Sequence, residues 1–258
     1  MTRTLAAAAL ALAACTSATA DVTLHATVTG ESAIMSGKTS SITYIKGLKM
    51  RAEAVSEKFS TVSIYDVEAQ KMFILDPKKK EATVWDMGAF AQEMGKAIDT
   101  GGVQAGMKPN GQTKVVNGQS ADGYDVDVTV PTTIGGSPVT MTLDGVSWVA
   151  KGVPGSAEYA AFYKGAADKG WIFSDPRAAK ASPGQAKAMA QMYTEFAKLG
   201  GLPVQVDMSM KASGEGPVAA MMSKMGAITT TTIIDSVETG PLDDALFQVP
   251  ADYALKTR

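Results

Sequence analysis

The residues that could do chemistry in this chain are few and scattered. His25 is the only histidine. It falls on the polar side of an alternating stretch, DVTLHATV, with Thr23 and Thr27. A general base needs a partner within hydrogen-bond reach, and no accompanying motif supplies one, so His25 reads as a surface or capping histidine. Two carboxylate pairs, Asp125 with Asp127 and Asp243 with Asp244, could approach one cation. Hard cations gather about six to eight oxygens, more than a pair on the solvent side of a strand offers. The chain carries no GxSxG, HExxH, P-loop or dinucleotide fingerprint. It therefore reads as a non-enzyme with no catalytic residue and no cofactor.

The softer side chains say more. There are 15 methionines; Met221, Met222 and Met225 cluster, and Met208 and Met210 precede them. A thioether fills irregular apolar space and adapts to varied ligands. It is also a ligand that Cu(I) prefers. With no His or Cys nearby, packing with some adaptable binding is the stronger reading, and Met221, Met222 and Met225 are weak metal candidates. Lys78, Lys79 and Lys80, with Lys71 near, make a small basic turn. Each could gain ~1 kcal/mol beside anionic lipid, but a solvated turn is the plainer reading.

Cys15, the only cysteine, belongs to the N-terminal segment. MTR gives a short positive region and LAAAALALAA an apolar run of export-signal length. That run is shorter than the ~20 residues needed to span a bilayer. Ala18-Thr19-Ala20 fits cleavage before Asp21. Leu12-Ala13-Ala14-Cys15 fits a lipobox instead, with Cys15 the acylated residue. Residues 1–20 thus read as a signal peptide, with Cys15 as the lipidation candidate. Both routes export the protein to the periplasm, and the second would associate it with the outer membrane. Ordinary cleavage leaves no cysteine, so no disulfide staples the fold.

The positioning elements follow from periodicity. Alternation marks strands in DVTLHATV, in SSITYIKGLKMRAEA as a hairpin about Gly47, in FSTVSIYD, and in KMFILDPKKKEATVW. A five-residue DPKKK loop would put Met72, Ile74, Ala82 and Val84 on one side, and Phe73, Leu75, Thr83 and Trp85 on the other. Met87, Phe90 and Met94 then follow helical period, with Asp86 as cap. TGGVQAGMKPNGQ reads as a Gly-rich loop. VTMTL-DG-VSWVA reads as a hairpin turning at Asp144-Gly145. Two helices follow, one capped by Ser156, the other by a Ser182/Gln185 capping box. VQVDMSMKA and AITTTTIIDSVE return to strand. Helices inserted among hairpins argue for an antiparallel sheet with helices on one side. At 258 residues, 45% hydrophobic and net charge −2, the composition is ordinary and globular, with no basic surplus for nucleic acid.

The strings KGLKMRAEA, YDVEAQKMFILDPKKKEATVWDM, VVNGQSADGYDVDV, VSWVAKGVPGSAEYAAFY and ETGPLDDALFQVP resemble an uncharacterised family of exported bacterial proteins. That family is similar in strand order to the lipoprotein carrier and receptor of the bacterial envelope, LolA and LolB. The resemblance covers about residues 21 to 255. It implies an α+β fold, a curved, unclosed antiparallel half-barrel of about 11–12 strands with about three helices on its concave side, in one domain over 21–258. It also implies apolar space between sheet and helices, where the carriers hold acyl chains. Phe90, Met94, Phe162, Met189 and Phe196 would line that space. The expected function is a non-enzymatic envelope protein that binds a lipid or lipidated protein. The alternative is an envelope structural or interaction protein with a filled core, or, more remotely, a Met-based Cu(I) binder.

Overall fold

The computed structural model describes residues 20–257, apart from 33–35, 58, 98–102, 135, 172, 174, 178–182 and 225. Residues 1–19, with Cys15, and Met225 lie outside the described residues. The alternating stretches form the strands β1 (Val22–Glu31), β2 (Ser36–Lys46), β3 (Lys49–Val55), β4 (Ser60–Asp66), β5 (Lys71–Asp76) and β6 (Glu81–Asp86). After helix α1 (Met87–Ala97) come β7 (Gln104–Val116), β8 (Gln119–Ile134) and β9 (Ser137–Ala150). Helices α2 (Ser156–Asp168) and α3 (Pro183–Leu199) precede β10 (Leu202–Gly214). Helix α4 (Pro217–Lys224), β11 (Ile228–Thr239), a 3-10 turn (Asp244–Phe247) and β12 (Ala254–Thr257) complete the order. All twelve strands lie in one unclosed sheet, ordered β12-β6-β5-β4-β3-β2-β1-β11-β10-β9-β8-β7. Every pairing is antiparallel except β12 with β6.

Register decides which side chains meet the helices. Val22, Ile45, Met50, Tyr65, Met72 and Trp85 form one cross-strand row over β1–β6. This row is part of the main core with Phe90 and Met94 of α1 and Phe162 and Tyr163 of α2. Aromatic rings close the space above it. Tyr163 stacks on Tyr193 with centroids 5.2 Å apart, and Phe162 meets Tyr163 edge-on at 5.2 Å. Trp171 and Phe173 join through Tyr65. Asp86 caps α1 as the spacing predicts, its carboxylate accepting from the Ala89 N–H at 2.8 Å.

The turn after β5 has four residues, not five. Asp76 pairs with Glu81 and Leu75 with Ala82. Met72, Ile74, Thr83 and Trp85 therefore share the helix-bearing face, while Phe73, Leu75, Ala82 and Val84 share the other. Two local features select this loop. The Asp76 carboxylate accepts from the Lys78 and Lys79 N–H groups, each at 3.1 Å, and Lys80 takes a left-handed conformation (φ 49°). The face carrying Phe73 and Leu75 is covered by the C-terminal chain. Leu242, Leu246, Phe247, Val249 and Tyr253 pack there on Val62, Ile64 and Leu75. Lys46 holds this strap through the Leu242 carbonyl (2.7 Å) and Asp244 (2.8 Å), and Lys80 holds Asp252 (2.8 Å). The Leu242 N–H donates to the Asp21 carboxylate at 2.8 Å, which ties the strap to the start of β1.

Four further expectations change. Asp144 and Gly145 lie inside β9, and the chain reverses instead between Ile134 and Ser137, where Gly136 has φ 81°. Gly145 serves close approach: a Cβ there would overlap the Asp207 carbonyl oxygen and the Met208 sulfur. Ser156 does not cap α2; Gly155, at φ 77°, occupies that position and makes no side-chain cap bond. Most of the expected Gly-rich loop is β7, which absorbs Gly111 (φ 74°) at an irregularity between Pro109 and Thr113. The Met-rich stretch at 217–224 is a fourth helix. The Ser182/Gln185 box falls partly outside the described residues.

Candidate functional site

Beyond the aromatic core, the helix-bearing face changes character. Strand alternation points Val126, Val128 and Val130 of β8 toward Ala188 and Met192 of α3. Register sets Val128 beside Leu143 and Leu143 beside Met210; Val130 pairs with Met141, and Met141 with Ala212. β10 thus presents Met208 and Met210 on the face that holds Val128 and Val130.

These side chains do not close the space between sheet and helices. A shallow depression of about 40 Å³ lies between β8, β9 and α3, walled by Val128, Val130, Met141, Leu143, Met189 and Met210. Met141 and Met210 also line a second depression of about 40 Å³, which reaches Met222 of α4 and Ile228. Ile228 and Ser32 continue into an open cleft of about 530 Å³ across β1, β2 and β11. Its floor carries Val28, Gly30, Thr39 and Thr230, and Phe59, 50% exposed, stands on its rim. Together the three form a furrow along the open end of the sheet. The cause lies in the residues. Gly30, Gly37 and Ser36 give the strands little to pack, and methionines take the place of rings farther in. Helix α4 packs on β10 and β9 and ends between Gly216 (φ 90°) and Gly226 (φ 73°). A separate depression of about 100 Å³ at the β7–β8 turn is lined partly by Asn117, Gln119, Asp235 and Ser236 and is more polar.

The predicted lining residues divide between the two regions. Phe90, Met94 and Phe162 are buried in the aromatic core, Phe162 completely. Met189 lines the furrow, and Phe196 packs beside it against the Val126 cluster. Met222 lines the furrow, whereas Met221 is 58% exposed. Sequence reading missed Met141, hidden in an apparent hairpin, and missed its approach to Met210. The signal is the alternation of β9 and β10, which becomes useful only once their register is known.

The groups with acid-base chemistry are scattered and mostly paired. His25 lies 3.7 Å from Glu238 on the surface. The Asp125 carboxylate accepts from the Asn110 side-chain amide at 2.9 Å, and Asp243 caps the 3-10 turn through the Ala245 N–H. Asp207, on the face opposite Met208, accepts from the Trp148 indole N–H (3.2 Å), Thr231 (2.9 Å) and Gln205 (2.8 Å). The Lys114 ammonium covers the Trp148 ring at 4.2 Å. That network satisfies itself. In the lysine turn, Lys79 pairs with Asp76 and Lys80 with Asp252. Burial and mutual proximity raise the pKa of Tyr65 to about 12 and that of Tyr163 well above its ordinary value, which keeps these hydroxyls neutral. Among the described residues, no helix is long and apolar enough to cross a membrane.

No protein-family model matches the chain, and no curated protein matches it. Solved structures similar to it include PNGF-II (12% identity, TM-score 0.33), which matches over 92% of this chain but 31% of its own. This chain thus spans about a third of that protein's length. A domain described as an outer membrane lipoprotein-sorting protein, from Vibrio parahaemolyticus, matches at 8% identity and TM-score 0.30, over 88% of this chain and 89% of that one. A DUF1329 family protein from Desulfovibrio piger ATCC 29098 matches at 11% identity and TM-score 0.28, over 90% and 91%.

Proposed function

We propose that this is a non-enzymatic, exported protein of the cell envelope that holds an apolar chain, a lipid or the lipid part of a lipidated protein, in the furrow. The observation that carries this reading is the furrow itself. Its inner part is walled by Val128, Val130, Met141, Leu143, Met189 and Met210 and continues toward the open cleft of about 530 Å³. Apolar burial supplies ~25 cal/mol per Å², so such a site binds without bond chemistry. Methionines suit chains of varied shape. Met189, Phe196 and Met222 are its candidate contacts. Phe90, Met94 and Phe162 lie apart from it, in the aromatic core. The N-terminal segment supports export, with cleavage before Asp21 and a single domain over 21–258. Lipidation at Cys15 would instead anchor the protein in the envelope.

The solid packing around Phe162 favours a second reading, an envelope interaction protein without ligand. Native mass spectrometry of protein purified from its own periplasm separates the two. Co-purifying lipid supports the first. A clean apo mass, with no uptake of a fluorescent fatty acid, overturns it.

A further inference from the structure

We infer that the furrow holds a soft-metal site, in which the thioethers of Met141, Met210 and Met222 bind one Cu(I) ion or its analogue Ag(I). The three methionines line the same depression. They arrive from three elements: β9, β10 and α4. Met210 pairs with Leu143 and Met141 with Ala212, so Met141 and Met210 are diagonal neighbours on one face of adjacent antiparallel strands. Diagonal side chains stand ~7–8 Å apart, and each methionine sulfur lies two bonds beyond Cβ on a flexible stem. Met222 lines the depression from the helix that packs on β10. Three thioethers can therefore point into one small space.

The rest of that lining excludes harder ions. Ala212, Gly226 and Ile228 bring no charged donor, and Ser32 brings only a hydroxyl. Lys211 also borders the depression, but an ammonium only donates hydrogen bonds and offers no lone pair to a cation. Calcium and magnesium need several oxygens; thioethers favour Cu(I). All three methionines are partly buried, shielded from bulk water yet open to an entering ion. Glu31 lines the adjoining cleft and supplies a negative charge on the approach. The inference does not depend on an acyl chain entering the furrow.

The test is titration of the mature, full-length protein with silver nitrate in chloride-free buffer, followed by NMR of carbon-13 methionine methyl groups. A parallel titration uses Cu(I) kept reduced in acetonitrile. The expected result is one equivalent bound, with the methyl signals of Met141, Met210 and Met222 shifting together. Met210→Leu and Met222→Leu conserve volume, and each should weaken binding about tenfold or more, or about 1.4 kcal/mol. Met222 lies on a surface helix, so its variant keeps the test valid should Met210→Leu fold poorly. Met221→Leu, on the exposed side of α4, should bind like the wild type. The site is overturned by an absence of saturable binding, by shifts centred on Met221, or by leucine variants that bind like the wild type. Loss of metal binding while a fatty-acid probe still enters would reject this site and leave the proposed function standing.

Discussion

The two ends of the helix-bearing face use the same sheet and differ in what fills them. At the β3–β6 end, Tyr65, Phe162, Tyr163, Trp171, Phe173 and Tyr193 interlock over Met50 and Met72. At the β8–β10 end, valines and methionines line a furrow under α3 and α4. Rings are rigid and large, and edge-to-face pairs fix their positions. Methionine is flexible and fills space without dictating its shape. One end therefore behaves as a solid support. The other can change shape around a guest.

Mutation separates the ends most strongly. Phe162→Ala removes a fully buried ring at the solid end and should cost about 3–5 kcal/mol in urea unfolding. Met189→Ala, at the furrow wall, should cost only about 1 kcal/mol, because the site is already partly open. Equal losses would break the contrast.

High pH should strike the aromatic end next. Burial raises the pKa of Tyr65 to about 12 and also raises those of Tyr159, Tyr163 and Tyr193. The folded state then holds these protons more tightly than the unfolded chain does. That stability is complete below the unfolded value near 10 and is lost as the pH climbs through 10 toward 12. Tyrosinate absorbance should rise together with loss of the near-ultraviolet circular dichroism signal. Independent, early ionisation would show that the cluster is wet.

Gly145→Ala probes the floor near the furrow. Its Cβ would meet backbone at Asp207, which cannot swing aside, so a loss of about 1–3 kcal/mol is expected. An unchanged midpoint would show that β9 and β10 can separate.

The smallest effect concerns the strap on the opposite face. Lys46 lowers the pKa of Asp244, and Lys80 lowers that of Asp252, in each case chiefly by hydrogen bonding. Their support is present above the ordinary carboxylate value near 4 and fades as the pH falls through the lowered folded value. Hydrogen exchange at residues 242–257 should quicken in acid while the aromatic core stays protected. Uniform exchange would mean that the strap and the core open as one unit.

Strand alternation made much of this legible. Val22 and Leu24, the β10 methionines and the Asp86 cap all stand as the spacing predicts. What failed was register and turn choice. DPKKK allows a four- or a five-residue loop, and Asp76 with a left-handed Lys80 selects four. Asp144-Gly145 has turn chemistry, yet Gly145 is needed where β10 crowds β9. Such choices depend on partners far along the chain. The furrow shared that fate: Met141 and Met210 are 69 positions apart in the sequence, and only the β9–β10 register brings them together. The solidity of the aromatic core depends on Trp171 and Phe173 folding back over Tyr65.

The central claim is that an apolar chain occupies the methionine end and not the aromatic end. Photolabelling of the purified protein with a diazirine fatty acid, followed by peptide mapping, tests it directly. The account predicts label on the peptides carrying Met141, Met189 and Met210, competed away by unlabelled fatty acid. Label confined to the exposed strap around Leu242–Tyr253, or no competable label at all, would contradict it.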